Sequence, residues 1–159
     1  AYIFSTMLLN ELSLKDLINF NLKLNFKNYL SSQILVKNLN FIPCKSLGNL
    51  FVHSTIESGL NNYSSMILFL NVNYQSKQVK LKSKNEETFY IEKLSFVKND
   101  VLIRCNCKNF QYRFQQYNYL DRCLYGPNVI KEYNLDKKPG VCKHLLKLIV
   151  ALQELKIFK

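Results

Sequence analysis

Residues 104–110 read RCNCKNF and residues 138–148 read KPGVCKHLLKL. Cys105 and Cys107 are one residue apart, Cys142 and His144 are one residue apart, and 34 residues lie between the two pairs. Two soft donors offered close together, then a second close pair ahead of an apolar helix, meet the needs of a four-coordinate zinc within one polypeptide. Four of the five cysteines and one of the two histidines fall between 105 and 144, and no second histidine or acidic cluster competes for them. The pattern therefore predicts a metal. The competing account is a packed thiol cluster or a disulfide, because cysteine is among the most buried residue types and familiar zinc fingers space their pairs more widely.

Working outward, the segment 101–104 reads as a strand that delivers Cys105 and Cys107 from a tight turn, on the same side because alternate residues of extended chain share a face. After the second pair, Leu145, Leu148, Ile149, Leu152 and Leu155 recur at helical spacing and mark one face of an amphipathic helix. Pro139-Gly140 breaks the chain just upstream, so Cys142 and His144 are expected in that helix's first turn. A helix N-terminus favours thiolate, and zinc favours it further.

The strings CNCKNFQYRF, LYG and PGVCKHLLKL resemble the SWIM-type zinc-binding module, Cys-x-Cys followed by a long insert and Cys-x-His, in a variant common in proteins of tailed bacteriophages and related viruses. The resemblance covers about residues 101–152. It implies Cys105, Cys107, Cys142 and His144 as the ligands of one structural Zn2+, in a binding or structural module for DNA or other proteins rather than an enzyme. Cys123 lies inside the insert and is a possible fifth donor; alternatively it packs near the end of a helical stripe formed by Phe110, Phe114, Tyr117 and Leu124. Cys44 is isolated and reads as a core residue.

The remaining chain reads as strands. Ser13 and Asp16 suggest a helix start with Leu14, Leu17 and Ile18 on its apolar face. Phe20, Leu22, Leu24 and Phe26 then alternate with polar residues at strand period. Further strands are expected over 34–42, 48–57, 64–73, 77–83 and 88–97, with a turn at Ser58-Gly59 and Asn61-Asn62. The expected fold is α+β, an antiparallel β-rich body followed by a zinc-stapled helical C-terminal module. Residues 1–100 form the α+β N-terminal part of the same compact domain, and 101–159 the SWIM-like module.

With 48% hydrophobic and 21% charged residues, the chain has globular rather than disordered composition. Asn, Lys, Leu, Ile, Phe and Tyr dominate, the bias of an AT-rich genome. The net charge of +11 attracts phosphate backbones and anionic partners. Lys77, Lys80, Lys82 and Lys84 alternate like the exposed face of a strand, where lysine also protects edges. Lys131, Lys137, Lys138, Lys143 and Lys147 gather around the second pair. Lys137, Lys138, Lys143, Lys147, Arg113 and Arg122 are the candidate nucleic-acid contacts. Phe110, Tyr112, Phe114, Tyr117, Tyr119 and Tyr125 interleave with the arginines, as base-stacking platforms do and as a core stripe does.

Other chemistry finds little support. His53, in LFVHSTI, has no spaced nucleophile or carboxylate and reads as a packed or surface histidine. Glu86-Glu87 reads as a solvated turn, and no Gly-rich phosphate loop occurs. The odd cysteine count and the lack of a signal-type N-terminal segment indicate a reducing compartment, host cytoplasm or a virion assembled there. No apolar run is long enough to span a bilayer. The expected role is a non-enzymatic virion structural or assembly protein with protein neighbours in a larger assembly, DNA or RNA contact on its basic surface, and no membrane or small-molecule substrate. The alternative is a soluble nucleic-acid-binding factor in replication, transcription or DNA processing.

Overall fold

The computed structural model describes residues 12–20, 33–128 and 139–159. Helix α1, Leu14–Phe20, begins at the Ser13/Asp16 pair. The Ser13 N–H and hydroxyl both donate to Asp16 Oδ2 at 3.0 Å, and the Asp16 N–H donates back to Ser13 Oγ at 3.4 Å. Such reciprocal capping satisfies donors that the helix itself leaves unpaired and stabilises it by about 1 kcal/mol. Phe20 thus closes a helix, and the rest of the alternating 20–26 segment lies outside the described residues.

Four antiparallel strands make the body: β1 (Ile34–Cys44), β2 (Asn49–Ser58), β3 (Asn61–Phe69) and β6 (Val101–Cys105), in the order β1-β2-β3-β6. Strands β4 (Val79–Lys82) and β5 (Thr88–Ile91) form a separate two-stranded ribbon. The β2–β3 turn is tighter than its sequence suggests. Ser58 pairs with Asn61, and Asn61-Asn62 belong to β3. Only Gly59 and Leu60 remain for the loop, and Gly59 takes φ +62° there, a conformation nearly free of cost without a Cβ. Asn38, at φ +51°, lies in a register shift between Lys37 and Asn40 in edge strand β1.

Two expected strands end early, because their backbone groups turn to partners outside the sheet, some of them polar side chains. The segment expected over 64–73 stops at Phe69, after which the Leu70 N–H turns to the Asp100 carbonyl and the Val72 N–H to the Gly48 carbonyl. The segment expected over 88–97 stops at Ile91. There the Ser95 hydroxyl accepts from the Val97 and Lys98 N–H groups, and Asn99 accepts from the Ser95 N–H while donating to the Leu70 and Asn71 carbonyls. Competition of this kind is characteristic of Ser and Asn.

Among the described residues three helical pieces follow β6: a π-helical turn over Phe110–Phe114, α2 (Gln115–Leu120) continuing from it, and α3 (Lys143–Glu154). Leu124 is not part of the expected helical stripe; it bridges to Ile103 as an added parallel partner of β6. Helix α3 packs against all four strands of the sheet. Leu145, Leu148, Ile149 and Leu152 bury completely against Leu50, Val52, Ile56, Ile67 and Ile103. Each such side chain contributes about 1.5–3 kcal/mol of transfer free energy. Leu155, expected on the same stripe, caps the helix and is 51% exposed.

Candidate metal centre

The hydrophobic period of β6 turns Val101, Ile103 and Cys105 toward the core. Cys105 is the strand's last residue and pairs with Ser65 of β3. The next residue, Asn106, holds the chain to that strand: its N–H donates to the Ser64 carbonyl at 3.2 Å, and its Oδ1 accepts from the Ser64 N–H at 2.8 Å. Cys107 then opens the helical insert, its carbonyl accepting from the Gln111 N–H and its Sγ from the Phe110 N–H at 3.3 Å. On the other side, Cys142 is the N-cap of α3, which places His144 at the second helical position.

The described residues contain one cluster of metal-competent donors, Cys105, Cys107, Cys142 and His144, whose ligand atoms all lie within 4.8 Å of one another. His144 Nδ1 stands 3.9 Å from Cys105 Sγ and 4.0 Å from Cys142 Sγ. Zinc bonds of about 2.3 Å to sulfur and 2.0 Å to nitrogen put tetrahedral neighbours about 3.5–3.8 Å apart, so the two His144–sulfur distances need to close by a few tenths of an ångström and the widest pair of the cluster by about an ångström. None of the four is more than 3% exposed. All five cysteines are free thiols. Cys123 is buried without joining the cluster, and burial pushes its thiol up to about 12.

The charge state suits a cation. Hydrogen bonds from the Cys107 and Cys142 thiols hold Cys105 far below the usual thiol range. The same bond to Cys105 pushes Cys107 up to about 12, and burial pushes Cys142 well above its ordinary value. Within the cluster Cys105 thus ionises most readily, and Cys107 and Cys142 hold their protons more tightly. A divalent ion replaces their protons and gathers three thiolates.

Sequence reasoning missed the residues that hold the donors in place. The fully buried Ser65 hydroxyl donates to Cys105 Sγ at 3.3 Å. Tyr63 stacks on the His144 imidazole, ring centroids 4.3 Å apart. With Nδ1 turned to the sulfurs, the ring proton belongs on Nε2, which is buried without a hydrogen-bond partner, so packing rather than a polar contact orients this imidazole. Fully buried Asn118, on α2, donates to the Gly140 carbonyl at 2.9 Å and accepts from the Gly140 N–H at 2.8 Å, two residues before Cys142. Only register and tertiary contact reveal these partners. Outer partners of this type typically change metal affinity 10–100-fold. Ser65→Ala is accordingly expected to speed zinc transfer to a chromophoric chelator by roughly that factor, with zinc stoichiometry unchanged; an unaltered rate would remove Ser65 from the centre.

The other candidates are dispersed. Lys143 and Lys147 lie half-buried on α3, Arg113 lies in the π-helical turn with its guanidinium 5.5 Å from the Phe114 ring, and Arg122 is exposed after α2. Lys131, Lys137 and Lys138 lie outside the described residues. Phe110 and Phe114 are buried, whereas Tyr119 is 52% exposed. His53 Nε2 bonds Ser64 Oγ at 2.6 Å, and burial together with the charge of Lys84 lowers its pKa. Glu86 and Glu87 occupy the exposed β4–β5 turn.

Comparison of the chain with protein-family models, curated proteins and solved structures finds no match. The donor set itself therefore carries the functional reading.

Proposed function

We propose that Cys105, Cys107, Cys142 and His144 hold one structural Zn2+, which staples the end of β6 to the start of α3 in a SWIM-like module. The observation that carries this reading is the convergence of four buried donors from two distant chain segments. Three sulfurs and one nitrogen fill a tetrahedral shell, leaving no position for a reacting water, and no carboxylate joins the described cluster as a base. The centre in this reading is closed, a structural rather than a catalytic site. Within it Ser65 and the Phe110 N–H stabilise sulfur charge while Tyr63 positions the imidazole.

In this proposal the protein is a structural or assembly component of a phage-like virus particle, meeting protein neighbours and nucleic acid through its basic surface. The resemblance of its cysteine strings and its AT-rich residue bias support that role. The free thiols suit assembly in a reducing host cytoplasm. No helix among the described residues is long and apolar enough to cross a membrane. Mass spectrometry of purified particles should find the chain at fixed stoichiometry; its absence from them would end the virion reading.

The net charge of +11 favours a second reading, a soluble nucleic-acid-binding factor. Binding to duplex DNA is then expected to weaken with salt by about 0.9 in logarithmic slope per phosphate neutralised. Reversal of Lys137, Lys138, Lys143 and Lys147 to Glu should abolish it while leaving zinc content intact. A wild-type protein with no affinity even at low salt would contradict this reading.

A further inference from the structure

The β4–β5 ribbon presents a face that the zinc centre does not use. Val79, Leu81, Phe89 and Ile91 point into the core, so Lys80, Lys82, Thr88 and Tyr90 all point outward. The register sets Lys80 directly opposite Tyr90 and Lys82 opposite Thr88. Lys77 Nζ lies 5.6 Å from the centre of the Tyr90 ring, which is 36% exposed. At the far end, the Lys84 N–H is tied to the Phe41 carbonyl on β1, so exposed lysines run from one end of the ribbon to the sheet.

Among the described residues Lys80 and Lys82 have no ion-pair partner; the ion pairs there join Lys37 to Glu57 and Lys159 to Glu92. Edge protection explains lysines on a short ribbon, but not an accessible tyrosine ring set across from one of them. Strand geometry separates Lys80 and Lys82 by about 6.6 Å, close to the step between successive phosphates of an extended single strand. Lysines at that step beside an aromatic face are the two parts of a single-strand binding surface, one for the backbone and one for a base.

We infer that the outer face of the β4–β5 ribbon, with Tyr90 as stacking platform and Lys77, Lys80 and Lys82 as phosphate contacts, binds single-stranded nucleic acid. The inference deepens the nucleic-acid reading above and rests on it, adding a single-strand surface on the ribbon to the duplex contact around α3.

The test is fluorescence anisotropy of labelled oligo-dT and oligo-U, each about 12 nucleotides, over a salt series, with zinc content and circular dichroism measured on every variant. Tyr90→Ala should weaken binding about tenfold, and Tyr90→Phe should keep it. Lys80→Gln with Lys82→Gln should lower the salt slope by about 1.4, two phosphates at about 0.7 each. If the ribbon variants bind as wild type while Lys143→Glu with Lys147→Glu abolishes binding, the ribbon assignment fails and the α3 surface stands. If the lysine variants weaken binding but Tyr90→Ala does not, the face reads charge alone, as for an acidic protein, and the single-strand assignment fails. Wild-type protein that binds neither oligonucleotide at low salt overturns the ribbon assignment, and failure to bind duplex DNA as well overturns the nucleic-acid reading on which it rests.

Discussion

Replacing Cys142 with serine is expected to release zinc and to unfold the region it joins, with β6 and α3 losing hydrogen-exchange protection together. Structural zinc binding can supply on the order of 10 kcal/mol, comparable to the whole stability of an ordinary domain. The loss spreads because Cys142 caps α3, whose leucines fill the core over the sheet. Chelation of the wild-type protein should reproduce the result. Proton release offers an independent check on the same centre. In the unfolded metal-free chain the ordinary thiol pKa of about 8.5 lies above neutral pH, so Cys105, Cys107 and Cys142 each hold a proton that zinc must expel. Affinity must then fall as pH falls, by about three logarithmic units per pH unit near neutrality. Calorimetry in buffers of different ionisation enthalpy counts those protons. Unchanged protection of α3 after chelation would refute the structural role.

Asn118→Ala should give the next largest loss. The substitution strips both hydrogen bonds from Gly140 at a fully buried position, and each orphaned backbone group costs about 1–3 kcal/mol. Denaturant melts should therefore show a destabilisation of about 2–6 kcal/mol. Because Gly140 leads directly to Cys142, zinc affinity should fall as well, whereas a purely local packing defect would spare it. Full zinc affinity in Asn118→Ala would detach this clamp from the centre.

The four-residue donor cluster was legible in the sequence because each pair is local. A one-residue gap at the end of a β-period segment and another before a helical stripe place each pair without knowledge of the fold. The chain's local punctuation was legible too: Ser13 and Asp16 cap α1, and alternating Lys80 and Lys82 face outward from β4. Ser65 was not legible, because it reaches Cys105 through a β3–β6 pairing that joins residues 40 positions apart. Asn118 sits in QQYNYL, where nothing distinguishes a buried clamp from an exposed amide. The strand ends at Phe69 and Ile91 were missed for a related reason: Asn99 closes that region by bonding carbonyls nearly 30 positions earlier in the chain. Local period predicted the elements, and long-range polar contacts set their limits.

Zinc K-edge X-ray absorption on purified protein, with the metal counted on the same sample, tests the central claim most directly. The expected result is one zinc per chain with three sulfurs near 2.3 Å and one nitrogen near 2.0 Å. A folded, metal-free protein carrying a disulfide between Cys105 and Cys107 or Cys142, or a zinc shell with oxygen in place of one of these donors, would contradict it.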